Sequence, residues 1–174
     1  YKIKIFSAED APEKVKKFSK IIQQRYNLKV VNFNSTKQII PYVDKMFELL
    51  NVTYSNLQTY VTIKQYQIDF YKEKFIKYIH PDFIKCCLDE NDNLIAFLIT
   101  MPSFSRALKK INGKIGLMGY FHLFKAQHFN DRVSLYLIGV DPKYQSKGVT
   151  AVIFNELQQT FNNRGILEVE TNPE

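Results

Sequence analysis

The sequence predicts an α/β fold, a mixed and mostly antiparallel central sheet flanked by helices. Three observations carry this. Short apolar runs of strand length alternate with longer stretches whose apolar residues recur every three or four positions. Two of the runs, 83–88 and 94–101, are separated by Asp89-Glu90-Asn91-Asp92-Asn93, a turn short enough to join antiparallel neighbours. A chain of 174 residues, 45% hydrophobic and 24% charged, is long and apolar enough for one globular domain with its own core.

Taken in order, Lys2 to Phe6 alternates as a short strand. Ala11 to Arg25 reads as a helix with Val15, Phe18, Ile21 and Ile22 on one face, and Leu28 to Phe33 alternates again. Asn34-Ser35-Thr36 offers capping side chains to a helix reaching Leu50, with Ile39, Val43, Phe47 and Leu50 close to one stripe. Pro41 inside it is placed to bend the helix or to reset its start. A second helix spans Lys64 to Tyr78, where Phe70, Phe75, Ile76 and Tyr78 read as core contacts rather than as a platform for bases. Beyond the hairpin come a short helical stretch, a turn at Asn112-Gly113 and an aromatic helix, a connection suited to packing or to a specificity element. Arg132 to Val140 is a strand. A helix with Val152, Ile153, Leu157 and Phe161 at core spacing follows, and Gly165 stops it and opens a last strand, Gly165 to Thr171.

The net charge of +7 suits an anionic ligand. The lysines are spread along the chain, and the local group Lys2, Lys4, Lys14, Lys16, Lys17 and Lys20 reads as solvated faces, so no nucleic-acid partner is expected. The longest apolar run, 94–101, falls well short of the roughly 20 residues that cross a bilayer, and no charged-then-apolar leader opens the chain. A cytoplasmic location without membrane partners is the resulting expectation. Tyr1 is not an initiator methionine, so the beginning reads as internal to a processed or longer chain. Adjacent Cys86 and Cys87 point to opposite faces of a strand and read as reduced, partly buried thiols. His80, His122 and His128 are scattered without metal-ligand spacing, so no metal is expected; His80 precedes Pro81 in a turn.

The chemistry concentrates in Ser134 to Leu157, SLYLIGVDPKYQSKGVTAVIFNEL, which reads as buried strand, tight turn and amphipathic helix. Backbone N–H groups in the first turn of a helix lack intrahelical acceptors, and the helix dipole adds positive potential there, so this order makes an anion site. Gly148 permits close backbone approach and Lys147 adds a cation. An ordinary strand-to-helix connection also uses Pro, Gly and Lys. The apolar strand with Ile138 and Val140 before the turn, and the apolar helix after it, favour the anion site.

Gln145-Ser146-Lys147-Gly148-Val149-Thr150 resembles the acetyl-coenzyme A signature of the GNAT acetyltransferase superfamily, Gln/Arg-x-x-Gly-x-Gly/Ala after a strand ending near a proline. Gln145 and Gly148 match. Thr150 stands where the family has Gly or Ala, with Ala151 one residue late; its hydroxyl can reach a phosphate while its β-branch narrows the cradle. The resemblance implies a GNAT-like fold in which the fourth and fifth strands splay and the coenzyme enters the opening. It implies the backbone of Ile138 and Val140 for the pantetheine arm, and the amides of Gln145, Ser146, Lys147, Gly148, Val149 and Thr150 for the pyrophosphate. SRALKKINGK with the aromatic helix after it resembles the C-terminal acetyltransferase-like unit of long bacterial GNAT-like proteins.

The implied organisation is a strand–helix segment or linker over 1–27 and a GNAT-like domain over 28–174 lacking its final helix and strand, its sheet completed either by sequence beyond Glu174 or by another domain or subunit. The implied activity is N-acyl transfer, with acetyl-CoA as co-substrate, an amine of unspecified identity as acceptor and no metal. The alternative is a catalytically inactive GNAT-like module used for binding or interdomain contact. No catalytic residue is assigned: Asp131 reads as a strand-start residue and Tyr136 as a packing aromatic. Glu168 and Glu170 share one face of the last strand and read as a solvated edge or as a cation-binding pair.

Overall fold

The structure, a computed structural model, describes all residues except 8, 9, 11, 75, 77, 78, 112–115 and 172–174, with backbone alone at Leu117. The described elements are, in chain order, β1 (Lys2–Lys4), α1 (Glu13–Arg25), β2 (Lys29–Val31), α2 (Thr36–Tyr54), α3 (Gln65–Lys74), β3 (Ile84–Leu88), β4 (Leu94–Pro102), α4 (Ser105–Lys110), α5 (Leu117–His128), β5 (Arg132–Val140), α6 (Val149–Asn163) and β6 (Glu168–Thr171). They form a mixed α/β fold around one sheet of order β1-β6-β5-β4-β3-β2. All pairs are antiparallel except β5 with β6.

Sheet alternation sorts the core into two layers. Ile95, Val133 and Val169 pack with α1 and α6, whose Ile22, Val152, Ile153, Leu157 and Phe161 are buried. Ile84, Phe97 and Ile99 pack with α2 and α3, against Ile39, Val43, Met46, Leu50 and Ile68. The two cysteines show the alternation directly, with Cys86 in the α2 layer and Cys87 in the α6 layer. Both are fully buried, more than the sequence indicates, because β3 is covered on both faces. Burial pushes the Cys87 thiol up to about 12, and Cys86 higher still.

The β3–β4 hairpin forms because Asp89 organises its turn. Its Oδ1 accepts from Asn91 N and Asn93 N, both at 2.9 Å, and Oδ2 from the Asn93 side chain at 3.1 Å. α2 runs through Pro41 and past Leu50 to Tyr54, its buried stripe extending to Leu49 and Leu50, so the proline neither splits it nor resets its start. Ser35 precedes α2 in an extended conformation but caps nothing; the Gln38 side chain instead accepts from Asn34 N at 2.7 Å. α3 ends at Lys74, and the expected contacts of Phe75 and Tyr78, like the turn at Asn112-Gly113, lie outside the described residues. The last strand starts at Glu168 rather than Gly165, because Gly165, at φ +66°, reverses the chain while Ile166 N bonds back to Phe161 O. At the sheet's edge β1 pairs with β6, Ile3 opposite Val169, and α1 packs beside α6.

Candidate functional site

β5 is paired with β4 over nearly its whole length but, among the described residues, with β6 only through Arg132–Leu135. Among the described residues no strand lines the far edge of Tyr136–Val140. Asp141 N bonds to Ile95 O, so by alternation Leu137 and Gly139 turn their backbone groups toward β4, and Ile138 and Val140 turn theirs to the open edge. The end of α2 bears this out: the Tyr54 hydroxyl donates to Ile138 O at 3.0 Å, and Thr53 Oγ1 to Val140 O at 3.1 Å. The pairing slips between Ile99 and Thr100, whose partners are Leu137 and Leu135, so Tyr136 is the extra residue of a bulge where the open edge begins.

The turn after β5 is built by Asp141. Its Oδ1 accepts from Lys143 N at 2.8 Å, and its carbonyl from Tyr144 N at 2.8 Å and Gln145 N at 3.1 Å. The Gln145 side chain donates to Val140 O at 3.2 Å, and Lys147 N to Tyr144 O at 3.2 Å. The Gln145 and Lys147 amides are therefore spent inside the turn. Those of Ser146, Gly148, Val149 and Thr150 find no acceptor among the described residues, and they cluster at the start of α6. Ser146 at φ +64° and Gly148 at φ +80° aim this group. The Lys147 ammonium lies over the rings of Tyr144, 4.8 Å away, and Tyr26, 5.4 Å away, which keeps its charge beside the turn. Gly148 has a second reason to be glycine, since a Cβ there would meet Phe18 at 3.0 Å and Ile22 at 3.3 Å.

The carboxylates near β5 have internal partners. Asp131 is held by Arg106 through both oxygens, at 2.9 and 3.2 Å, and its carbonyl accepts from Leu167 N and Glu168 N. Glu168 Oε2 lies 2.7 Å from Arg132 Nε, in ion-pair contact but out of hydrogen-bond alignment. Glu170 takes the Ser103 hydroxyl at 2.5 Å and the Ser105 hydroxyl at 3.0 Å on one oxygen, and faces Lys2 and Arg132 with the other. The Ser103 hydrogen bond leads in holding the Glu170 carboxyl below its ordinary range, against the opposing effect of burial. The solvated edge does not describe these two glutamates: β6 lies between β1 and β5, and both side chains pair with Arg132 across β5 and β6. Tyr136, expected as a packing aromatic, is 58% exposed because the bulge turns it outward.

On the α2 side of the sheet a cavity of about 400 Å³ reaches from α3 to this bulge. The sheet supplies Ile84, Phe97, Ile99, Met101 and Leu137, α2 supplies Val43, Met46, Phe47 and Leu50, and Tyr71, Lys72 and Tyr136 stand at its ends. Lys72 is the one charged side chain among the described lining residues, and its ammonium is engaged by Asp44. No group of three or more His, Cys, Asp or Glu side chains among the described residues can hold a metal ion.

The model of the acetyltransferase (GNAT) family matches residues 43–174, three quarters of the chain. The chain belongs to the GNAT family. Among curated proteins no relative matches it. Solved structures share its fold. L-PGS from Bacillus licheniformis matches at 12% identity and TM-score 0.50, over 99% of this chain and 48% of that one. The C-terminal DUF2156 domain of a candidate lysylphosphatidylglycerol synthetase from Agrobacterium fabrum matches at 10% and 0.53, over 90% and 39%. The glucosamine N-acetyltransferase region of a fungal multi-domain GH3 β-N-acetylglucosaminidase matches at 10% and 0.52, over 95% and 17%. This GNAT chain thus spans less than half the length of these three proteins. Its fold is theirs, including the C-terminal acetyltransferase-like unit that its sequence resembles.

The sequence pointed to the turn and the strand of this site but not to Thr53, Tyr54, the bulge or the cavity. Thr53 and Tyr54 lie beyond Leu50, where the apolar stripe of α2 ends, and no local pattern marks them. The bulge is a property of the pairing of two strands, which neither strand encodes alone.

Proposed function

We propose that this chain is an acyl-CoA-dependent N-acyltransferase that takes an acetyl group from acetyl-CoA to an amine. The observation that carries the proposal is the cluster of N–H groups at Ser146, Gly148, Val149 and Thr150 that find no acceptor among the described residues, set at the end of a strand that has no partner strand among them along its far edge from Tyr136 to Val140. The residues fit the ligand: a pyrophosphate takes the helix N-terminus with Lys147 beside it, and the pantetheine arm takes the backbone of Ile138 and Val140. When bound, acetyl-CoA supplies a thioester for direct attack by the acceptor nitrogen. The protein's part is to align the two and to let the amine lose a proton and the leaving thiolate gain one.

Thr150 tests the reading. If its hydroxyl serves the anion, Thr150→Val weakens coenzyme A binding, measured by calorimetry, by roughly 1–3 kcal/mol, and Thr150→Gly binds no more tightly than the wild type. If the β-branch obstructs the cradle, Thr150→Gly tightens binding. No coenzyme A binding in any of the three proteins overturns the proposal.

One observation favours a second reading, a GNAT-like module that binds without turnover. Asp131, Glu168 and Glu170, the carboxylates at the start of β5 and on β6, are each engaged by an arginine or a serine, which leaves no evident general base among them. Coenzyme A binding without acyl transfer to any amine of a broad panel distinguishes this module from the enzyme.

A further inference from the structure

The cavity between α2, α3 and the sheet bears on the acceptor, and the inference below rests on the transferase reading for its chemistry. At about 400 Å³ it is within the size range of a ligand pocket. It runs to Tyr136 and Leu137, where β5 bulges beside the Ile138–Val140 edge proposed for the pantetheine arm, so an acceptor lying in it would end next to that arm. A polycationic acceptor needs carboxylates to replace its water. The described lining has none, and Asp44, which reaches the lining residue Lys72, is engaged by Lys72 and Gln65. An aliphatic body, in contrast, gains by leaving water for Phe97, Ile99, Leu137 and Leu50, with its amine left beside exposed Tyr136.

We infer that the acceptor is a monoamine with an extended apolar body, the body seated in this cavity and the amine at the β5 bulge. Each buried methylene contributes about 0.8 kcal/mol, which is roughly a fourfold gain in affinity. The test uses the whole chain and three probes, n-decylamine below its micellar concentration, n-butylamine and spermidine, with binding followed by calorimetry. Decylamine should bind at least about a hundredfold more tightly than butylamine, since four buried methylenes suffice for that ratio, and spermidine should not compete. Ile99→Trp, which fills the cavity from the sheet side, should weaken decylamine binding at least tenfold while coenzyme A binding stays within twofold. Leu137→Phe provides the same readout if the first variant does not fold. Equal affinity for the two alkylamines, displacement by spermidine, or decylamine binding unchanged in the filled variants overturns the inference. Coenzyme A binding without decylamine binding refutes the apolar acceptor and spares the transferase reading; decylamine binding without coenzyme A binding does the reverse.

Discussion

Replacing Gly139 with alanine tests the packing that sets the strand beneath the site. Gly139 stands opposite Phe97 in the β4–β5 ladder, and an added Cβ would lie 2.5 Å from Phe97 Cε1 and 3.2 Å from Cδ1 and Cζ. Ordinary carbon contacts are about 3.5–4.0 Å, so the ring must retreat by roughly 1 Å. Phe97 is 1% exposed and cannot swing into solvent; it can move only toward the cavity it borders. Overpacking of this kind costs about 1–3 kcal/mol. For a chain of this size that lowers Tm by roughly 2–12 °C. The assay is equilibrium urea unfolding with a thermal scan, repeated in a Phe97→Leu background where the methyl has room. There Gly139→Ala should cost less than about 0.5 kcal/mol, giving a coupling of about 0.5–3 kcal/mol. A neutral Gly139→Ala, or equal costs in the two backgrounds, refutes the reasoning.

Gly148→Ala should destabilise by about 1–2 kcal/mol through its positive φ alone, and somewhat more through contact with Phe18 and buried Ile22; urea unfolding with and without Phe18→Ala separates the two parts, and a neutral substitution contradicts the left-handed turn. The Asp89 carboxyl is raised by burial, but hydrogen bonds from Asn93 and Asn91 outweigh this and hold it below its ordinary value. Its contribution is thus complete above the unfolded pKa of about 4 and is lost as pH falls through the lower folded value. Unfolding curves of Asp89→Ala against wild type should diverge above that window and converge below it, and a constant difference down to low pH rules out the carboxylate as the source.

The elements of the fold were legible where burial is periodic. Hairpin, β5 and α6 could be placed because Asp89, the run Val133–Val140 and the stripe Val152, Ile153, Leu157 and Phe161 each encode their own environment. The turn of the site was legible for a related reason: Gly148 and Gln145 act within a few residues of themselves, one by its φ and the other by bonding back to Val140. The illegible features depend on residues distant in sequence. Glu168 and Glu170 alternate like a solvated edge, and only the placement of Arg132 one strand away, with Ser103 and Ser105 beyond it, turns them inward. Pairing of β1 with β6 joins Lys2 to Glu170 across almost the whole chain, and three residues carry too short a pattern to announce it.

The hydroxyls of Thr53 and Tyr54 explain how a strand edge with no partner strand among the described residues persists beside the proposed coenzyme site. An unpaired edge invites another strand, and α2 covers this one by giving side-chain donors to the carbonyls of Ile138 and Val140 rather than backbone. Such bonds are worth only about 0.5–1.5 kcal/mol each net, far less than a continuous ladder, and a hydroxyl can rotate away or turn to water without moving the helix. On the proposed function, an amide of a pantetheine arm replaces each hydroxyl nearly one for one. The same α2 lines the cavity proposed for the acceptor through Val43, Met46 and Leu50 on the face it buries. On that proposal a single helix guards the donor's edge with its last turn and walls the acceptor's cavity with its middle. A substitution that shifts α2 is then expected to disturb both proposed sites together, whereas one in α6 reaches the proposed phosphate end alone.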